Sequence, residues 1–206
     1  MILKKASYKA IKYSCLKFHY AKRIPVCRIS YSVFNKNGEW CGVICYGSGA
    51  SSTVAQGYGL RQGQCCELVR VALNGKQEQT SKAVAISLRL LKKSSPLLQL
   101  VYSYADIDQK HYGTIYQATN WIYIGSLERY FAGYEFNGKK WHPRSVSGKL
   151  PKGVKMNIKN VKKYLDPSAK EIYSEGKRRY VRVFNKDLLP KFTELQKPYP
   201  KIASIA

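Results

Sequence analysis

Apolar and polar positions recur in two rhythms along the chain, and each change of rhythm marks an element. Between Ala6 and Lys17, Ala6, Ala10, Ile11 and Cys15 share one face while Lys9 and Lys12 lie elsewhere. This spacing predicts an amphipathic helix, with Pro25 as a break beyond it. Val26 to Asn35 and Glu39 to Gly47 alternate with period two around Asn37-Gly38, which predicts a hairpin. Ser48 to Gln64 then runs in glycine, serine and glutamine, too long for a simple connection and therefore expected to be functional or mobile. Cys66 to Leu73 predicts a strand with Glu67, Val69 and Val71 on one face and Leu68, Arg70 and Ala72 on the other. Lys82 to Lys93 predicts a helix apolar over much of its circumference, which should pack across a sheet and end before Pro96.

Leu100 to Ala105 is a run of β-formers that ends in Asp106 and a polar loop. A short helix over Thr114 to Thr119 and a strand over Trp121 to Gly125 should follow. A carboxylate at a strand end, leading through a loop to a helix, is where open α/β sheets place their chemistry. The loop and helix collect Asp106, Asp108, His111, Tyr112, Tyr116, Gln117 and Asn120. Further on, Tyr130 to Phe136 and Lys140 to His142 read as a hairpin around Asn137-Gly138. His142 to Gly153 reads as loop, Asn157 to Leu165 as a short basic helix and Lys177 to Phe184 as a basic strand.

Charge then narrows the partner. The 206 residues carry 36 Lys and Arg against 12 Asp and Glu, a net +24, with 17 tyrosines. Such a balance favours a polyanion, and the tyrosines favour nucleic acid over lipid because aromatic rings stack on bases. The excess is concentrated late: from Lys139 onward there are 18 basic and 5 acidic residues. Lys162, Lys163, Lys177, Arg178, Arg179 and Arg182 are the expected DNA contacts. No run has the apolar length of a membrane span, so the expectation is a cytoplasmic protein with DNA and no membrane as partner. The six cysteines form no C-x-x-C pair and are expected to be reduced thiols packed as small hydrophobes.

Single residues leave more than one reading. His19 sits where a helix end favours its cation. Arg70, on a strand expected to be central, needs Glu67, Asp106 or an anion as its partner. Thr80 and Ser81 serve equally as helix caps or as part of an anion site at a helix N-terminus.

A resemblance bears on these choices. Ser103-Tyr104-Ala105-Asp106, the spacing from His111 through Gly113, Tyr116-Gln117-Ala118 and Asn120-Trp121, and Tyr123-x-Gly125 together resemble the core of the bacteriophage Mom-like proteins. His19-Tyr20 with Pro25 is similar to that family's His-Tyr-Ser triplet, with Ala21 in place of the serine. Glu67-Leu68-x-Arg70 and Ser81 also match. The resemblance spans about His19 to Gly125.

It implies an α/β, GNAT-like mixed sheet, mainly antiparallel, flanked by helices and split open beside its long strands. To this fold would be added a basic C-terminal extension. It implies a core over 1–138, with 139–206 packed on it and contacting DNA. The implied activity is an acyl- or carbamoyl-type transfer to the exocyclic amine of adenine in phage DNA, hiding the DNA from restriction in the host bacterial cytoplasm. Catalytic residues would be His19, Tyr20, Tyr46, Arg70 and Asp106. Iron held by His19, Tyr20 and Asp106 and an acetyl-CoA-like donor held at Gln79, Thr80 and Ser81 are the implied cofactors. The segment Gln77 to Lys82 nevertheless lacks the glycines of a GNAT phosphate loop. A non-catalytic nucleic-acid-binding protein and an acetyltransferase with another substrate remain the alternatives.

Overall fold

The computed structural model describes residues 1–49 and 53–201. By internal contacts the chain forms two compact units. The first comprises residues 1–105, 112–125 and 178–206, the second 106–111 and 126–177.

The first unit is built on a seven-stranded sheet. In chain order its strands are β1 (Ile2–Lys5), β2 (Ile29–Phe34), β3 (Trp40–Gly47), β4 (Cys65–Leu73), β5 (Leu100–Asp106), β6 (Ile122–Leu127) and β10 (Lys177–Val183). Across the sheet the order is β1, β2, β3, β4, β5, β10, β6. The pairs from β1 to β4 are antiparallel, whereas β4 and β5 run parallel. The expected mixed, mainly antiparallel sheet flanked by helices is therefore what the chain forms. From the last third of the chain, β10 enters this sheet between β5 and β6.

Local sequence explains the helices. Ser7 caps α1 (Tyr8–Lys17) by accepting the Ala10 amide, and Ile11 and Cys15 bury against Val43, Cys45 and Ala72. On the other face, α3 (Thr80–Ser94) buries Ala83, Val84, Leu88 and Leu91 with Tyr46, Leu68 and Val101. The same cluster holds Tyr116 from α4 (Thr114–Gln117) together with Trp121 and Tyr180. Trp121 is fully buried, so its truncation to alanine should cost roughly 3–5 kcal/mol. A short helix α2 (Thr53–Gly57) occupies part of the expected long loop, whose residues 50–52 lie outside the described residues.

The β2–β3 connection is wider than a two-residue turn. Asn35 closes it, its side-chain oxygen accepting the amides of Asn37 and Glu39. On β4 the expected alternation fails at a β-bulge. Cys45 pairs with Arg70 but Tyr46 pairs with Leu68, leaving Val69 extra. Leu68 and Val71 thus pack with α3, while Val69 and Ala72 pack with α1.

The second unit has its own sheet, β7 (Tyr130–Phe136), β8 (Lys139–Trp141) and β9 (Lys170–Ser174), in the order β8, β7, β9. Its β7–β8 turn is the expected Asn137-Gly138, with both residues at positive φ. The stretch read as loop from His142 contains α5 (Pro143–Ser147), for which His142 is the N-cap and Pro143 the first residue. Tyr134, Phe136 and Val146 form a core with Val161 of α6 (Ile158–Tyr164). The tail of the chain belongs to the first unit, where α7 (Leu189–Glu194) buries Phe192.

Candidate functional site

The first unit's chemistry gathers where β4 and β5 part. These strands pair at Cys65 with Leu100, Cys66 with Val101 and Glu67 with Tyr102, and no further. At the next position Ser103 donates its hydroxyl proton to the Leu68 carbonyl at 2.8 Å, replacing the missing backbone bond. The Tyr116 hydroxyl, 2.8 Å from Ser103 Oγ, supplies the proton that Ser103 then accepts. Burial pushes the Tyr116 phenol up to about 12, so this chain of hydrogen bonds is neutral.

On the α1 side of the sheet, the same rung carries Glu67 and a row of tyrosines. Tyr102 and Tyr104 alternate onto one face of β5, with ring centroids 5.8 Å apart. Tyr58, just past α2, lies 6.1 Å from Tyr102 and 5.5 Å from Phe192. Burial raises the pKa values of all three phenols, and the Glu67 charge raises those of Tyr102 and Tyr104 further. Two uncharged phenols, Tyr102 and Tyr104, thus stand near one carboxylate, with Tyr58 packed against Tyr102. Arg179 approaches from β10: its charge draws down Tyr58 and Tyr104, and its Nη2 donates to the Ile124 carbonyl at 3.2 Å. Arg179 Nε is buried and without a hydrogen-bond partner. Gly49, at φ +82°, passes so close that a Cβ there would lie 3.0 Å from Glu67 Oε2 and far inside contact distance of the Tyr102 hydroxyl. Beside this cluster is a cavity of about 220 Å³, lined by Tyr46, Ser48, Gln62, Cys65 and Tyr102 among others.

The residues singled out from sequence lie as follows. His19 and Tyr20 follow α1 and stack on each other at 4.3 Å, with His19 Nδ1 accepting the Ala21 amide. Tyr46 is in the core, its hydroxyl 2.6 Å from the buried Ser87 hydroxyl. Arg70 pairs across to Cys45, Nη1 donates to the Val69 carbonyl at 2.6 Å, and Nε is buried without a partner. Asp106 opens the second unit, where its carboxylate accepts the Asp108 amide and its carbonyl the His111 amide. Among the described residues no three His, Cys, Asp or Glu side chains gather as metal ligands, so the residues present do not support iron.

Gln79 precedes α3 in extended conformation and caps it with no side-chain hydrogen bond, while Thr80 Oγ1 accepts from Gln77. Ser81 and Gln79 border a groove of about 630 Å³ whose described lining includes Lys82, Arg89, Lys92 and Arg182 and no carboxylate. A phosphate-bearing donor fits here by charge and by the helix N-terminus rather than by a glycine cradle. Of the expected DNA contacts, Lys162 and Lys163 stand exposed on α6. Arg178 lies 4.8 Å over the Tyr112 ring, and Arg182 Nη1 donates to the Asn120 carbonyl.

Glu67 and Tyr104 fall within the matched motifs, Glu67 also as a candidate partner for Arg70, but neither was assigned a role in the site, and Tyr58 and Tyr102 were not singled out. The signal for Tyr102 and Tyr104 was present, since tyrosines two apart on a strand must share a face.

Residues 1–201 match the family model described as the Mom protein family. "Methylcarbamoylase mom" of Escherichia phage Mu is 30% identical over 142 residues, covering 66% of this chain and 56% of that protein. The aligned stretch thus spans little more than half of that relative's length. Solved structures similar to this chain include a dodecameric spermidine N-acetyltransferase from Vibrio cholerae, with 11% identity and a TM-score of 0.46. That match covers 91% of this chain and 95% of the other. An acetyltransferase of Bacillus subtilis in complex with CoA matches with 11% identity and a TM-score of 0.38, covering 76% of this chain and 77% of the other.

Proposed function

The chain belongs to the Mom protein family, and we propose that it is a DNA-modifying transferase acting on the exocyclic amine of adenine. The family match over residues 1–201, with the phage Mu methylcarbamoylase as a relative, is the observation that carries this reading. The net charge of +24 supports a polyanionic substrate. The parted strands β4 and β5 support a transferase cleft, with an anion-favouring groove along α3 on one side and the Glu67–tyrosine cluster on the other.

A phosphate-bearing, acetyl-CoA-like donor would be held by Ser81, Lys82, Arg89 and Arg182, and it would supply the activated carbonyl. The chain's own part is to hold the adenine amine in place and keep water out. Adenine in a duplex is paired, so the base reaches such a cleft only when flipped out or presented in a single strand. The product hides adenine-containing sites from restriction enzymes. The test is digestion: plasmid from cells expressing the chain should resist a restriction enzyme whose site contains adenine. Cutting at the rate of control plasmid overturns the anti-restriction reading.

A further inference from the structure

We propose that the cluster around Glu67 is the nucleobase subsite, with Glu67 as the group that accepts the adenine amine's hydrogen bond and its proton. The proposal rests on the transferase reading above and names where the acceptor base sits within it.

Position comes first. Glu67 occupies the last paired rung of β4 and β5, opposite Tyr102 and next to the point where the strands part. Glu67 is half-buried there, so its carboxylate is not sealed inside the sheet. Tyr58 and Tyr104 are half-buried too, whereas Tyr102 is buried and braces them as a wall. An aromatic row of this kind offers π-faces to any base and would give affinity without sequence preference.

Chemistry supplies the selectivity. With the phenols held neutral by burial, Glu67 is the anion of the cluster, and a carboxylate accepts but does not donate. It therefore prefers a base edge that presents an amine. Arg179 lies close by on β10, where its charge acts on Tyr58 and Tyr104. In the transfer step, a bond forms between the amine nitrogen and the carbonyl carbon of an activated carbonyl donor. The N–H bond breaks, its proton passes to a Glu67 oxygen, and the donor's leaving group departs with the electron pair of its broken bond.

The experiment compares binding of an oligo-deoxyadenosine strand with the same strand built from purine deoxynucleosides lacking the 6-amine. Wild type should bind the adenine strand roughly 10- to 150-fold more tightly, the range for one charge-assisted hydrogen bond. Glu67→Ala should erase that preference. Tyr58→Ala should weaken both strands together by roughly 5- to 150-fold, the worth of one stacked base. Glu67→Gln, which keeps volume and an acceptor, should keep part of the preference and lose at least about 100-fold in modification rate. A preference that survives in Glu67→Ala, or a wild type that binds both strands equally, overturns the subsite. A wild type that binds neither strand overturns the transferase reading itself. Should Glu67→Ala fail to fold, Glu67→Gln decides alone: a modification rate close to that of wild type rejects the role.

Discussion

Ser103 on β5 hydrogen-bonds the backbone carbonyl of Leu68 on β4 at 2.8 Å, at the first position where the two strands no longer pair. One hydroxyl thereby closes the apex of the opening in the sheet, with the buried Tyr116 hydroxyl behind it. Ser103→Ala strands both a carbonyl and a phenol in the core. Denaturant unfolding should show a loss of about 1–3 kcal/mol. An unchanged midpoint would mean that neither group depends on Ser103.

Tyr46 is 1% exposed, and its hydroxyl is 2.6 Å from Ser87 Oγ, which in turn donates to the Val84 carbonyl. Tyr46→Phe should therefore lower stability by about 1 kcal/mol, seen in the same unfolding assay. A large fall in modification rate with stability intact would instead give the hydroxyl a part in the reaction.

Neighbouring arginines on β10 should behave differently. Arg179 is half-buried and donates to the Ile124 carbonyl, so Arg179→Ala should cost about 1–3 kcal/mol of stability. Arg178 rests over Tyr112, while Lys162 and Lys163 are exposed on α6. Replacing these three by alanine should leave stability near wild type and weaken DNA binding. The slope of log K against log salt should become shallower by about 0.9 for each phosphate contact removed. A slope equal to wild type would exclude them as DNA contacts.

Cys27 should be the reactive thiol. A hydrogen bond from Cys45 draws its pKa down to about 7 against the opposing effect of burial, with help from Ser30 and Arg70. Because the folded value is below the ordinary one, thiolate accumulates as pH rises through about 7 and is lost below it. Alkylation followed by peptide mass mapping should therefore label Cys27 first, at a rate that levels off above neutrality. Cys45→Ala should move that midpoint upward. A wild-type rate still climbing well into the alkaline range, as for an ordinary thiol of pKa about 8.5, would contradict the assignment.

Much of the first unit was legible because its signals are local. The periodicity of α1 and α3 and the β-formers of β5 each depend on neighbours within a few residues, as does the Asn137-Gly138 turn of the second unit. The faces of β4 were not legible: a bulge inserts one residue opposite Cys45 and Tyr46, and no pattern within β4 announces what its partner does. Nor does composition reveal that Lys177–Val183 lies between β5 and β6, since sheet order is a matter of long-range pairing. The family motif drew attention to Arg70 and Asp106. Glu67 and its tyrosines gain meaning only from the rung that pairs β4 with β5.

Nucleoside mass spectrometry tests chemical modification of adenine most directly. DNA is recovered from cells expressing the intact chain, digested to nucleosides and compared with DNA from cells carrying the empty vector. The expected result is a deoxyadenosine species of increased mass whose fragment places the added group on the base. Deoxyadenosine of unchanged mass, from cells in which the folded protein is present and binds DNA, would contradict the claim and leave a nucleic-acid-binding protein without this activity.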